Sequence, residues 1–210
     1  MNKMKLKVCG MRAPQNIEEV LTLSPDYLGF IFYEKSPRFV ANIPETIDFI
    51  KSLGQVKKVG VFVNAPVEEL LQIAQRYDLQ VIQLHGKESV ETCRQVREQG
   101  YEVFKVFGVG EDFDFSVLKP YEEVVDYFLF DTKSKQHGGT GKTFDWSVLQ
   151  GYDSKVPFFL SGGVSLENLE EVKQLNLSTL YGIDVNSRFE NAPALKDVTL
   201  LKELKKGLQS

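Results

Sequence analysis

Eight short runs rich in β-branched and aromatic residues recur along the chain: "LKVCG" (6–10), "YLGFIF" (27–32), "KVGVFV" (58–63), "VIQLHG" (81–86), "YEVFKVFG" (101–108), "YFLFDT" (127–132), "FFLSGG" (158–163) and "TLYGIDV" (179–185). They read as strands. Helical periodicity fills stretches between them. "PVEELLQIAQRY" (66–77) puts Val67, Leu70, Leu71 and Ala74 on one face, with proline in the first turn. "ESVETCRQVREQG" (88–100) repeats the pattern and closes on glycine, with Cys93 packing beside Val90 and Val96. "SLENLEEVKQL" (165–175) opens on Ser165 as an N-cap. Strand ends recur every roughly 22–31 residues, a βα unit repeated eight times. Buried parallel strands joined by helices make an α/β protein. Eight units predict a single domain over residues 1–210, a closed (β/α)8 TIM barrel with eight parallel strands, at the short end for that fold. An open doubly wound sheet is the alternative, although such sheets usually have fewer strands.

Composition narrows the classes. With 42% hydrophobic residues in 210, the chain can bury one sizeable core. The net charge of −4 is mixed along the chain, without the basic stripe that nucleic acid requires. No apolar run approaches the ~20 residues of a membrane span, and the start "MNKMKLKVCG" has no signal-peptide apolar region. Two cysteines are not a disulfide framework, so a cytoplasmic protein with reduced thiols is expected. Two histidines, far apart and without carboxylates at ligand spacing, argue against a metal site.

In a barrel of this kind chemistry sits at the carboxyl ends of the strands, and here those ends carry the polar residues. Cys9 stands before a glycine and is either a reactive thiol or a small apolar plug. Asp131 follows "YFLF" and precedes a long glycine-rich loop, which favours a site residue over a helix cap. Gln83 and His85 share a strand face aimed at the mouth, His85 being equally suited to a structural role. Arg38 in "KSPRFV" lies near the rim and suits a substrate carboxylate. "GTGKT" fails as a phosphate loop, because the pattern needs glycine at 136 and Gln136 is there. Gly138 to Gly141, with His137 alongside, read as a lid. Phosphate is better served by Gly162 and Gly163 leading into a helix, and by "GIDVNS" with Asn186 and Ser187. The glycines also permit a simple tight turn.

Together "KVCGMR", "GFIFYEKSPRFV", "VGVFVN", "IQLHG", "FDTKSKQHGGTGKTFDWS", "LSGGVSLENL" and "GIDVNSRFE" followed by "LKD" resemble the phosphoribosylanthranilate isomerases of tryptophan biosynthesis, from Lys7 to Asp197. The resemblance implies a (β/α)8 barrel without cofactor or metal. It implies an Amadori rearrangement of a small phosphorylated substrate, N-(5-phosphoribosyl)anthranilate, and a monomer or homodimer. It also implies Cys9 as general base, Asp131 as general acid, and Arg38 at the anthranilate carboxylate. Gly162, Gly163 and Asp184 are then expected around the phosphate. Asn186 stands where the family usually has serine and Arg188 where it has glycine, so the phosphate contacts of this loop are its own. Other sugar-phosphate enzymes of the same fold, such as epimerases or the aldose–ketose isomerase of histidine biosynthesis, would favour paired aspartates or metal-binding histidines. A non-catalytic phosphate-binding barrel is the rival of another class. The assignment poses an electrostatic problem. Thiolate plus neutral carboxyl is disfavoured against thiol plus carboxylate by about 4.6 pK units from reference values. Desolvation should raise Asp131, and loop N–H groups should lower Cys9.

Overall fold

The structure, a computed structural model, describes residues 4–40, 44–132 and 145–209. Eight parallel strands close a barrel in chain order: β1 (Lys5–Val8), β2 (Tyr27–Ile31), β3 (Lys57–Phe62), β4 (Val81–Leu84), β5 (Glu102–Val109), β6 (Tyr127–Thr132), β7 (Phe158–Leu160) and β8 (Leu180–Val185). β8 returns to β1 with Lys7 opposite Asp184. The expected strands are therefore present, the closed barrel replaces the open-sheet alternative, and several strands stop short of their glycines. Cys9, His85 and Ser161 lie just past the ladders. Each still donates its N–H to the neighbouring strand, at 2.9, 2.8 and 2.8 Å, so the polar strand ends are held rigidly.

Among the described residues, six α-helices pack outside the strands: α1 (Pro14–Leu21), α2 (Pro44–Ser52), α3 (Val67–Arg76), α4 (Val90–Glu98), α5 (Leu169–Gln174) and α6 (Val198–Gly207). α3 buries Leu70 and Ala74, with acidic Glu68 and Glu69 in its first turn and Arg76 in its last, as the helix dipole favours. Ser89 caps α4 by accepting from Thr92 N at 3.1 Å. Cys93 and Val96 point inward as expected. Two connections carry 3-10 helices instead, Phe115–Tyr121 and Trp146–Gly151, capped by Asp114 and Asp145. These shorter units fit the barrel into 210 residues.

α5 departs from expectation. Ser165 is not its cap. Asn168 accepts from Ser165 N at 2.8 Å and donates to Gly163 O at 3.0 Å, so its side chain holds the segment in a turn and delays the helix to Leu169.

Leu6, Val8, Leu28, Phe30, Ile82, Leu84, Phe128 and Phe130 join the layer between strands and helices. A second cluster fills the barrel interior: Tyr27, Val59, Val81, Phe104, Val106, Leu129 and Phe159. Its rings pack edge-on or tilted, as aromatic quadrupoles prefer, with Tyr27 and Phe159 5.4 Å apart at 89°. This plug closes the lumen, so polar side chains at the carboxyl ends can gather on one rim. A small antiparallel hairpin, β9 (Glu190–Ala192) and β10 (Leu195–Lys196), follows β8 over that rim.

Candidate active site

Alternation along β1 sends Leu6 and Val8 outward to the helices, leaving Lys7 and Cys9 on the other face. Lys7 Nζ donates to Asp184 Oδ1 at 2.8 Å, with both side chains buried. Burial disfavours the Lys7 ammonium, but Asp184 and Cys9 outweigh it and raise its pKa above the ordinary lysine value. Cys9 is a buried free thiol. A Cβ on Gly29 of β2 would stand 2.7 Å from its Sγ, so glycine is what leaves the sulfur room. Burial pushes the Cys9 thiol up, and Asp184 adds to that. The ammonium of Lys7, which also hydrogen-bonds Cys9, and that of Lys196 pull it down without reversing the sign. The positive charge facing the thiol thus comes from two lysines rather than from loop N–H groups.

Asp131 ends β6. Burial pushes its carboxyl up to about 6, with Asp184 adding to the rise and the Thr132 N–H and Lys7 opposing it. Thr132 N donates to Asp131 Oδ1 at 2.8 Å. His85 Nε2 lies 3.6 Å from Asp131 Oδ2, and Gln83 Nε2 lies 2.8 Å from His85 Nδ1. With the amide donating, a neutral imidazole keeps its proton on Nε2, facing the carboxylate. Gln83 Oε1 is buried with no hydrogen-bond partner among the described residues. The three residues thus form one chain along the mouth.

Gly162 and Gly163 both adopt left-handed backbone, φ +76° and +84°. A Cβ on Gly162 would stand 2.4 Å from Thr132 N and 2.6 Å from Asp131 Oδ1. The loop after β7 therefore touches the carboxylate directly, and its glycine is required by both conformation and space.

Arg38 lies beside the loop after β8. Its Nε donates to Glu190 Oε1 and Oε2 at 2.9 and 3.0 Å, and its Nη2 to Oε2 at 2.6 Å. Burial raises Glu190, yet Arg38 and Lys196 outweigh it and hold the carboxyl below its usual range. Lys196 Nζ also donates to Asn186 Oδ1 at 2.6 Å. Burial lowers the Lys196 pKa, and Glu190 opposes it.

A protein-family model described as N-(5'phosphoribosyl)anthranilate (PRA) isomerase matches residues 6–206. The chain belongs to the phosphoribosylanthranilate isomerase family. Among relatives named N-(5'-phosphoribosyl)anthranilate isomerase, that of Parabacteroides distasonis is 48% identical over 200 residues, covering 95% of this chain and 90% of the relative. That of Phocaeicola vulgatus is 44% identical over 210 residues, covering 98% and 100%. The Thermus thermophilus phosphoribosyl anthranilate isomerase superposes with a TM-score of 0.85 at 30% identity, covering 98% of each chain. A phosphoribosyl anthranilate isomerase in complex with reduced 1-(o-carboxyphenylamino)-1-deoxyribulose 5-phosphate superposes at 0.84 with 31% identity, again covering 98% of each.

Against the isomerase expectation, the structure brings Cys9 and Asp131 into one electrostatic group through Lys7 and Asp184, and joins Gln83 and His85 to it. Asp184, expected around the phosphate, pairs with Lys7 beside Cys9, because the β1–β8 register sets the two opposite each other. Arg38 is at the rim but paired to Glu190. Asn186 is tied to Lys196, and Ser187 opens a short 3-10 helix, Ser187–Phe189. The lid residues 138–141 and His137 lie outside the described residues. Three participants escaped sequence reasoning: Lys7, Glu190 and Lys196. Lys7 had a signal, a lysine two residues before Cys9 on the same strand face. Glu190 and Lys196 lie within the motifs "GIDVNSRFE" and "LKD", but nothing there marks them as partners, since a hairpin of very short strands brings them together.

Proposed function

We propose that this chain catalyses the family's reaction with Asp131 as general acid and Cys9 as general base. The reaction converts N-(5-phosphoribosyl)anthranilate to 1-(o-carboxyphenylamino)-1-deoxyribulose 5-phosphate, an intramolecular aldose–ketose rearrangement in tryptophan biosynthesis. Asp131 delivers its proton to the ribose ring oxygen, and the C1–O bond breaks to leave an iminium ion. Cys9 thiolate then takes the proton from C2, and the electron pair flows into an enolamine that becomes the ketone. The acid and base stand on β6 and β1, and so approach the sugar from different directions.

The observation that carries this reading is the raised carboxyl of Asp131 with Lys7 beside Cys9. Raising Asp131 to about 6 closes roughly two units of the gap against the productive protonation state. Burial of Cys9 works the other way, and the Lys7 ammonium opposes it. The iminium ion formed in the first step adds its positive charge to those of Lys7 and Lys196 at the moment a thiolate is required.

Gly162, Gly163, Asn186 and Ser187 supply the phosphate contacts through loop amides and short side chains. The turn held by Asn168 takes the place of a helix start there. Gln83 and His85 hold Asp131 and the sugar hydroxyls. No helix of the described residues is long and apolar enough to cross a membrane, and a cytoplasmic location fits the free thiols. One related structure is described as monomers generated from the dimeric Thermotoga maritima enzyme, at TM-score 0.84 and 31% identity. For this chain sedimentation velocity distinguishes a monomer from a homodimer. The test of function is incubation with freshly made phosphoribosylanthranilate. The substrate's anthranilate fluorescence should fall with turnover, and no change with folded protein would sink the reading.

A further inference from the structure

Glu190 engages one edge of the Arg38 guanidinium, the edge made by Nε and Nη2. A planar fork paired this way keeps its Nη1 edge for a second carboxylate. Behind the pair stands a second cation. Lys196 Nζ bonds both Glu190 and Asn186 Oδ1. Its backbone is fixed as well: its N–H donates to Asn16 Oδ1 at 2.7 Å, and its carbonyl accepts from Asn16 Nδ2 at 3.0 Å. Ala194 N adds a bond to Glu190 Oε1 at 3.2 Å. The side chains of Lys196 and Glu190 are 0% and 4% exposed, while that of Arg38 is 13% exposed and faces the rim. Gly10 lets the cluster close, since a Cβ there would stand 2.6 Å from Arg38 Cδ and 2.7 Å from Asn186 Oδ1.

Charge explains why a buried lysine is kept there. Arg38 with Glu190 alone sums to zero, and a neutral pair attracts an anion weakly. With Lys196 the cluster carries +1. We propose that Glu190 and Lys196 are positioning residues for carboxylate recognition: Glu190 fixes the plane of the Arg38 guanidinium, and Lys196 restores the net positive charge that draws the anthranilate carboxylate to its remaining edge. The inference rests on the reading of Arg38 as the carboxylate contact. It adds that two buried residues which do not reach the rim set the strength of that contact.

The test compares two ligands by calorimetry: reduced 1-(o-carboxyphenylamino)-1-deoxyribulose 5-phosphate and its phenylamino counterpart lacking the carboxyl. Lys196→Met brings the cluster to zero and should weaken the first ligand by about tenfold or more, leaving the second within about twofold. In turnover KM should rise and kcat should fall as well, since Lys196 is one of the two cations facing Cys9; the calorimetric preference involves no proton transfer and so reads the carboxylate contact alone. Adding Glu190→Gln returns the cluster to +1 and should recover most of the lost preference, whereas two merely structural lesions would accumulate. If Lys196→Met does not fold, Lys196→Gln removes the same charge while keeping a donor for Glu190. Arg38→Ala separates the two levels. If it leaves the preference for the carboxylated ligand unchanged, the reading of Arg38 fails. If it abolishes the preference while the lysine variants do not change it, or the double variant is no better than Lys196→Met, the positioning role of Glu190 and Lys196 is overturned.

Discussion

Lys7 and Asp184 face each other across the closing seam of the barrel, 2.8 Å apart and buried, with Cys9 one turn of the pleat above Lys7. Replacing one partner leaves the other charge without compensation, which costs about 3–5 kcal/mol for buried pairs. Lys7→Met should therefore lower stability by about that amount in urea titrations. Lys7→Met with Asp184→Leu should recover to within about 2 kcal/mol of the wild type, because the uncompensated charge is gone. Turnover should stay low in both, since both lose the Lys7 ammonium and keep only that of Lys196 near the thiol. A double variant with near-normal kcat would remove Lys7 from the electrostatics of the site.

Asp131 trades stability for function. Its folded pKa of about 6 exceeds the ordinary value of 3.8, so the folded state binds more protons between those limits. That contribution is complete below about pH 4 and is lost as the pH rises through 6. Two units correspond to about 3 kcal/mol. About a third of the side chain is exposed, which discounts the figure to roughly 1–2 kcal/mol. Asp131→Asn does not titrate. It should be more stable than the wild type at pH 8 by that amount, with the difference vanishing near pH 4, while kcat is lost. Equal stability of the two proteins across this range would contradict the raised carboxyl.

Gly162→Ala should impair catalysis from outside the acid–base pair. A left-handed φ costs an L-residue about 1–2 kcal/mol, and the new methyl would press on Thr132 N and Asp131 Oδ1. We expect kcat to fall at least about tenfold, with weaker inhibition by inorganic phosphate, if the same loop holds phosphate as proposed. Unaltered kinetics in a folded Gly162→Ala protein would separate this loop from the site.

What the sequence revealed depended on how local each signal was. The strands were legible because apolar runs and their polar ends repeat eight times, and closure follows from the count. The Cys93 face of α4 was legible for the same reason. Lys7 shares the Cys9 face, but that signal was ambiguous, because a lysine alternating with Leu6 and Val8 reads equally well as a solvent-facing residue. Only closure of β8 onto β1 turns that face inward. Asp184 was placed in the site by the family resemblance, and its pairing with Lys7 is set by strand register, which no motif records. The start of α5 was misread because Asn168 binds its own preceding turn, a side-chain interaction that periodicity does not record. The Glu190–Lys196 contact needs a tertiary hairpin and leaves no mark in spacing.

The thiol of Cys9 gives the sharpest test. Serine is nearly the same size, and the space left by Gly29 accommodates it, so Cys9→Ser should fold and still bind the reduced product analogue. A hydroxyl is far less acidic than a thiol, so the lysines that favour thiolate cannot generate an alkoxide. The kcat should therefore fall by several orders of magnitude. Asp131→Asn should fail similarly, and the double variant should be little worse than either, because each removes half of one proton-transfer unit. Cys93 is the control. It lies in the core beneath α4, and burial pushes its thiol up to about 11. Cys93→Ser should cost stability by burying a hydroxyl, roughly 1–3 kcal/mol, and leave kcat intact. Iodoacetamide should alkylate Cys9 before Cys93, and the product analogue should protect it. If Cys9 were only an apolar plug, Cys9→Ser would behave as Cys93→Ser does: less stable, with turnover within about tenfold of normal. Measuring kcat and the urea midpoint of both variants side by side decides between a base and a plug.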